Sequence, residues 1–376
     1  MRFPEFTEEW GKCKVSDLLD IYSTNSLSWE QLEYDTNAIM NLHYGLIHVG
    51  LPTMVNLTKD KLPNIKEGNM PKNFELCKEG DVAFADASED TNEVAKTVEF
   101  FNLAGKDIVC GLHTIHGRDN KNRTVIGYKG YAFSSTAFHN QIRRIAQGTK
   151  IYSISSKNFS ECYIGLPSKP EQTKIATLLR LIDERIVTQN KIIEKLQSLI
   201  KGITILLTAK GKPNTTIAQC LECHSSTLQE SEVSHSGLYK VFGANGLVGY
   251  TDMPQMNGDA ILIIKDGSGV GTTSYAQGEF SVIGTLNYLT AISNYDLRYL
   301  YFVLSVFNFQ SYKTGMAIPH IYFKDYGNAK IFCPPLSEQK RIANVLGKLE
   351  SKLCLEQNIL ASFNLQKRYL LGQMFI

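Results

Sequence analysis

PSKPEQTKIATLL at residues 167–179 and PPLSEQKRIANVL at residues 334–346 are one segment written twice, 167 positions apart. Each opens on proline, sets Glu-Gln four and five residues later, and then spaces Ile and Leu as a helix face does. The match extends upstream through Gly148/Gly315, Ile151/Ile318, Ile154/Ile321, Lys157/Lys324 and Ile164/Ile331, and downstream to Ile192/Ile359, without a gap. A weaker match lies earlier, with VSDLLDIYS (15–23) over IAQCLECHS (217–225) at an offset of 202. A duplication is the simplest cause, with about 35 more residues between landmarks in the first copy. Two copies are too few for a solenoid, so two related but unequal globular parts are expected.

Each copy ends in a long helix. From Ile175 the apolar residues run Leu179, Ile182, Ile186, Ile193, Leu196, Ile200, Ile203 and Leu207, steps of four and three broken only at Gln189. This is a heptad seam. Ser168, Pro170 and Glu171 supply a capping box with proline in the first turn, and AKGKP (209–213) supplies the stop. The second seam reads Ile342, Leu346, Leu349, Leu353, Leu360, Phe363, Leu370 and Met374, with Glu356 at the place of Gln189 and Lys367 at that of Ile200. A helix of about 36 residues is about 54 Å long, too long for one small domain. The two seams are therefore expected to pack on each other as an antiparallel coiled coil about a pseudo-two-fold axis.

The rest of the composition sets bounds. A chain of 376 residues with 43% hydrophobic and 20% charged residues buries ordinary cores in two or three domains. No run of about 18 apolar residues and no apolar leader core are present, so neither a membrane span nor a signal peptide is indicated and the expected compartment is the cytoplasm. Eight scattered cysteines suit reduced thiols. A net charge of +2 argues against holding an acidic polymer by bulk charge, but its distribution is uneven. Residues 1–99 carry 9 Lys/Arg against 18 Asp/Glu, whereas residues 100–150 carry 8 against 2. That basic stretch is either an ordinary solvated face or a surface aimed at phosphates.

Two related domains on a rigid helix pair make a spacer with a reader at each end, and on DNA the spacing of readers sets the spacing of half-sites. The opening RFPEFTEEW, the two P…EQ…IA helices, YKVFGANGLVGYTD (239–252) and GMAIPHIYFKD (315–325) together resemble the specificity subunits of type I restriction-modification systems, over nearly the whole chain. The resemblance implies two target recognition domains, each reading half of a bipartite asymmetric DNA sequence. It implies that the helices bind methyltransferase subunits, two of them, and that restriction subunits join. S-adenosylmethionine, ATP and Mg are then expected on those partners, with no cofactor or metal on this chain. The expected fold is α+β, with mixed or antiparallel sheets and short helices in each domain. The expected segments are recognition domain 1 (1–165), central spacer helix (166–210), recognition domain 2 (211–332) and C-terminal spacer helix (333–376). A specificity component of another restriction system, or a stand-alone DNA-binding protein, is the alternative.

A non-catalytic role agrees with missing motifs. None of the Gly-Lys pairs at 11–12, 105–106, 211–212 and 347–348 is followed by Ser or Thr, so no P-loop is present, and no Asn/Asp-Pro-Pro-Tyr/Phe segment of amino-methyltransferases occurs. CLECH (220–224) matches a haem-attachment pattern, but the repeat lays Leu18, Ile21 and Tyr22 over Cys220, Cys223 and His224, which marks core positions. His113 and His116 in LHTIH (112–116) lack a matching Cys or carboxylate cluster, so metal is not expected there. KDGSGVGTTSY (265–275) reads as a tight loop between strands rather than a phosphate cradle, because no helix follows it.

For DNA contact, HGRDNKNRTVIGYKG (116–130) combines Arg118, Lys121 and Arg123 with Asn residues and Tyr128, and Arg143, Arg144 and Lys150 extend the basic patch. Arg and Lys suit phosphates and guanine edges; Asn suits adenine. Residues 210–315 carry only 6 basic against 8 acidic groups, and there the family-like loops nominate Asn245, Tyr250, Lys265, Ser268, Thr272 and His320. AILIIK (260–265) and KIFCPP (330–335) read as strands, and DLRYLYFVLSVFNFQSYK (296–313) as a helix.

Gln189 and Glu356 sit at the midpoints of the two seams, where they either bond across the axis and set register or face solvent at a local widening. The double variant Gln189→Leu with Glu356→Leu decides between these. Loss of a single register, read as broadened and less cooperative unfolding, is the outcome expected of a bonded pair, and an unchanged cooperative transition assigns both groups to solvent.

Overall fold

The structure, a computed structural model, describes residues 2–375. The chain is α+β and divides into two compact units, Met1–Gln189 with Ile359–Ile376, and Asn190–Asn358. The division falls in the middle of both long helices, Lys169–Thr208 and Leu336–Gln373. Each globular part thus holds one half of each helix, because those halves are built into its core.

In the first unit the central sheet orders its strands Asp20–Tyr22, Thr114–Arg118, Val82–Ala85, Thr97–Asn102 and Met54–Asn56. The first four are antiparallel neighbours and the last is parallel. A second sheet of four short strands, Ile108–Cys110, Met40–Leu42, Asn64–Ile65 and Leu32–Glu33, lies in the same unit. All four residues of the central strand VAFA are buried. Val82 and Phe84 enter the core shared with the helices, and Ala83 and Ala85 enter a core with Leu42, Val55 and Phe100. A strand covered on both faces cannot alternate, hence the continuous apolar run. The helix-side core stacks Phe84, Phe133, Phe138 and Phe159 edge to face with ring centroids 4.6–6.0 Å apart.

The second unit repeats this frame. Leu221–Ser225, Leu286–Ala291, Ala260–Ile264 and Thr273–Ala276 form an antiparallel sheet in the same order as the first four strands of the first unit. AILII is again buried on both faces, Ile261 and Ile263 toward the helices and Ala260, Leu262 and Ile264 toward a second core. Its other four-stranded sheet is built from Gly246–Thr251, Tyr239–Gly243, Glu279–Val282 and Met256–Asn257. Helix Leu297–Ser305 is shorter than the expected 296–313. The chain leaves the helix so that Phe309 can bury against Phe307 and Tyr326, at 4.8 and 5.3 Å between ring centroids.

The repeated Glu-Gln joins helix to domain in both units. Gln172 is buried; its Oε1 accepts from Val125 N at 2.9 Å and its Nε2 donates to Pro167 O at 2.9 Å and Arg123 O at 3.2 Å. Gln339 does likewise, accepting from Asp296 N at 2.9 Å and donating to Pro334 O at 2.8 Å. Three residues beyond each docked amide, a buried tyrosine donates to the chain that leads into the helix: Tyr128 to Gly165 O and Tyr299 to Phe332 O, both at 2.7 Å. Glu171 and Glu338 differ. The buried Glu171 holds Arg2 through two bonds of 2.7 Å, whereas Glu338 pairs with Arg341 on its own helix.

Within the first unit the two helix segments run antiparallel. Lys367 Nζ lies 2.6 Å from Asp183 Oδ1, while Phe375 packs on Tyr128 beside the start of the first helix. Lys367 interrupts the apolar seam because it meets Asp183, which also accepts from Tyr131 Oη at 2.9 Å. In the second unit Glu350, the repeat-mate of Asp183, accepts from Tyr301 Oη at 2.7 Å and pairs with Arg298. Gln189 is buried, and Glu356 lies 3.2 Å from Lys352 one turn earlier.

Gln172→Ala and Gln339→Ala should each lower stability by about 1–3 kcal/mol, because each leaves a backbone N–H without its partner next to a buried helix start. Chemical denaturation of the purified chain reads this directly. The loss should exceed that of Glu338→Ala, whose partner is an exposed arginine.

Candidate nucleic-acid interface

The basic residues of the first unit fall into three environments. Arg118 is a correction to the sequence reading: it is buried, and its guanidinium is used inside the fold. It donates to Asp81 through Nε at 2.9 Å and Nη2 at 2.8 Å, to Glu75 at 2.5 Å and to Leu76 O at 2.7 Å, with the ring of Tyr22 4.5 Å away. Burial works against its charge, but these carboxylates raise its pKa above the ordinary arginine value. Tyr128 and Lys129 are likewise inside. Lys129 pairs with the buried Glu99 at 3.3 Å, and Glu99 also accepts from Gly127 N and Gly130 N at 2.8 and 2.7 Å. Burial raises the pKa of Glu99 against the opposing pull of Lys129 and these N–H groups. The segment 116–130 is therefore mostly wall.

Besides the exposed Ile126, what it presents to solvent is the short loop 120–123. Asp119 shapes that loop by accepting from Thr124 N and Oγ1 at 2.8 and 2.7 Å, and Asn122 takes a left-handed φ of 50°. Lys121 and Arg123 are exposed and reach Asp17 O, at 3.0 and 3.4 Å. Arg143 and Arg144 are exposed in the last turn of helix Thr136–Ile145, Arg143 meeting Asn92 Oδ1 at 2.7 Å. Lys150 is exposed on the loop that follows. These side chains keep their charge at the surface, on two separate stretches of backbone.

In the second unit Lys265, Ser268, Thr272 and His320 are brought together by a knot of main-chain bonds. Gly267 N donates to Pro319 O, Ile321 N to Lys265 O, and Ile264 N to Thr272 O, all within 2.9–3.0 Å. His320 Nδ1 lies 2.7 Å from Asp266 Oδ1. The loop 265–272 connects two antiparallel strands, as read from its glycines. Asn245 is exposed in the turn of the Tyr239–Gly243 and Gly246–Thr251 hairpin, and Tyr250 is half-buried on that hairpin, bridged to Ser234. They belong to a different sheet from the other four.

The repeat also shapes a loop that the residue-type argument passed over. Gln147 bridges Ser153, and 167 positions later Thr314 bridges His320. Gly148 and Gly315 open both loops with left-handed φ of 148° and 87°, where a Cβ would run into the carbonyl oxygen of Ile151 or Ile318. Ile151, Ile318 and Met316 are exposed at the tips. The signal was present as the Gly/Ile pairs of the repeat, but apolar residues at loop tips are not DNA-reading types by chemistry alone.

Two cysteine and histidine motifs resolve differently. Cys220 lies in the core 4.0 Å from Cys333, while Cys223 is on the adjoining strand. His116, expected to lack metal-ligand neighbours, has them in the fold: Cys77, Cys110 and His116 each offer a ligand atom, all within 4.8 Å of one another, and Asp81 adjoins. Cys77 is 33 residues from Cys110, so no spacing motif revealed them. Among the described residues no helix is long and apolar enough to cross a membrane.

Residues 60–198 and 218–364 each match the type I restriction modification DNA specificity domain, one copy per repeat. The chain is 24% identical over 116 residues to the type I restriction enzyme EcoprrI specificity subunit of Escherichia coli, a match spanning 31% of this chain and 29% of that protein. It superposes on the S subunit of the type I restriction-modification system of M. genitalium with a TM-score of 0.64 at 17% identity, covering 100% of this chain and 97% of that one. A second structure, solved to show complex assembly and conformational transition of a type I R-M system, gives 0.59 at 15% identity over 97% of each chain. With two matched domains covering most of its length and the same fold, the chain belongs to the type I restriction-modification DNA specificity family.

Proposed function

We propose that this chain reads a bipartite, asymmetric DNA sequence, one half-site per unit, and that its helices recruit two methyltransferase subunits and then restriction subunits. The observation that carries this reading is the duplicated frame: the same four-strand order and the same glutamine joint recur in both units, on surfaces that differ in charge and loop length. A repeated scaffold with unlike loops suits two readers with unlike targets. The first unit offers Lys121, Arg123, Arg143, Arg144 and Lys150 for phosphates and base edges. The second offers Lys265, Ser268, Thr272 and His320 on one loop knot, with Asn245 and Tyr250 on the neighbouring hairpin. The chain does no chemistry itself; S-adenosylmethionine, ATP and Mg belong to the partners, and the assembly works in the cytoplasm. Gln189 and Glu356 set the register of the spacer.

Co-expression with an adjacent methyltransferase gene, followed by sequencing of methylated bases in host DNA, tests this reading. The expected result is a split, asymmetric methylated motif that disappears when this chain is omitted. A stable complex without methylation would keep the partnership but mark the system as damaged or silent, whereas no complex at all would favour a stand-alone binding protein.

Single alanine variants separate surface from wall. Lys121→Ala and Arg123→Ala should each weaken binding to all duplexes alike and reduce the salt slope by about 1, the signature of a lost phosphate contact. Arg118→Ala should instead lower stability by on the order of 3 kcal/mol, because Asp81 stays buried without its main cation. Salt-titrated binding beside thermal melting distinguishes the two classes.

A further inference from the structure

Cys77, Cys110 and His116 come from three places in the first unit. Cys110 ends strand Ile108–Cys110, and His116 is at the centre of strand Thr114–Arg118. Cys77 lies in the segment before Val82–Ala85, held against Cys110's strand by its N–H on Ile108 O at 2.8 Å and by the bridge between Leu76 and Val109. All three are buried, at 5%, 2% and 0% exposure. The two sulfurs are 3.5 Å apart. Nε2 of His116 lies 2.7 Å from Asp81 Oδ2, and its Nδ1 is buried with no hydrogen-bond partner.

That last atom is the anomaly. A buried polar nitrogen without a partner costs free energy, and the rest of the imidazole is rigidly held. With Nε2–H donating to Asp81, Nδ1 carries a lone pair, the form in which histidine binds a metal. A carboxylate behind a histidine is the arrangement that orients and strengthens such a ligand. Sulfurs bound to one tetrahedral zinc at about 2.3 Å stand about 3.8 Å apart, close to the spacing present here. Two thiolates and one imidazole form a soft donor set that selects zinc over the oxygen-seeking cations.

We propose that Cys77 Sγ, Cys110 Sγ and His116 Nδ1 form a three-ligand site for one zinc ion, with Asp81 positioning the histidine. Binding releases the two thiol protons to solvent and fills three of the four tetrahedral positions. The site staples the 75–81 segment to both sheets of the first unit, at the base of the loop that carries Lys121 and Arg123. It is particular to that unit. At the matching register of the second unit the aromatic pair is reversed, Tyr22/His116 becoming His224/Tyr288, and His224 Nε2 has the hydroxyl of Thr290 at 3.0 Å.

The full-length chain, purified without chelator and with its methyltransferase subunits if these are needed for solubility, should contain about one zinc per chain by elemental analysis. After zinc is removed, titration with Co²⁺ alone should give a thiolate-to-cobalt charge-transfer band, and the melting temperature should rise on adding Zn²⁺. Cys77→Ser and Cys110→Ser should each abolish the band, and Asp81→Asn should weaken Co²⁺ binding by about 10–100-fold. The exposed Cys354→Ser should leave both unchanged. Should the serine variants fail to fold, thiol labelling of the wild-type chain keeps the test open: Cys77 and Cys110 should react only after chelation. A metal-free chain whose Co²⁺ titration shows no charge-transfer band overturns the proposal, as does a Cys77–Cys110 disulfide found by mass spectrometry.

Discussion

The buried side-chain amide of Gln172, and its twin Gln339, is the joint on which the architecture depends. A long helix must begin somewhere, and its first turns leave backbone groups without helical partners. Here one glutamine takes the carbonyl of the proline that opens the segment and, with its other end, the N–H of a residue far back in the globular part. The helix start is thereby fixed to its domain in angle as well as position. Only a planar group with a donor and an acceptor at opposite corners does both, which is why Gln stands in both copies while its neighbour Glu is put to two different uses. The buried tyrosines Tyr128 and Tyr299 brace the same joint from the strand side.

Around that joint the two units keep one sheet and vary what covers it. The central strands VAFA and AILII separate two cores in each unit, one shared with the helices and one facing the variable half. The first unit spends its extra residues on a fifth strand and on a wall held by buried charge: Glu99 with Lys129, and Arg118 with Asp81 and Glu75. The second unit replaces that wall with a knot of main-chain bonds between the loops at 265–272 and 314–320. A constant inner face and a divergent outer one are what the proposed reading of two unlike half-sites calls for.

Much of this was legible in the chain itself. The repeat at 167 positions predicted both helices and their proline-led starts, and the weaker match at an offset of 202 gave the equivalence of VSDLLDIYS with IAQCLECHS, because those features are local periodicities and spacings. That AILIIK forms a strand was legible as a short apolar run, whereas its burial on both faces shows only in the fold. The basic run at 116–130 was misleading in part: Arg118, Lys121, Arg123 and Lys129 look alike in sequence, yet two are enclosed by carboxylates and two face solvent. Their carboxylate partners, Asp81 and Glu75 for Arg118 and Glu99 for Lys129, lie 30–43 residues away, so no window around either cation reveals them.

By itself the sequence determined the duplication, the helical seams and the α+β class, since hydrophobic spacing and capping residues act over a few turns of chain. Tertiary structure alone decided which charges remain at the surface, where Cys77 and Cys110 meet His116, and where each docking glutamine finds its second partner. Those outcomes depend on burial and on distances between strands that are far apart in sequence, and burial is a property of the folded whole.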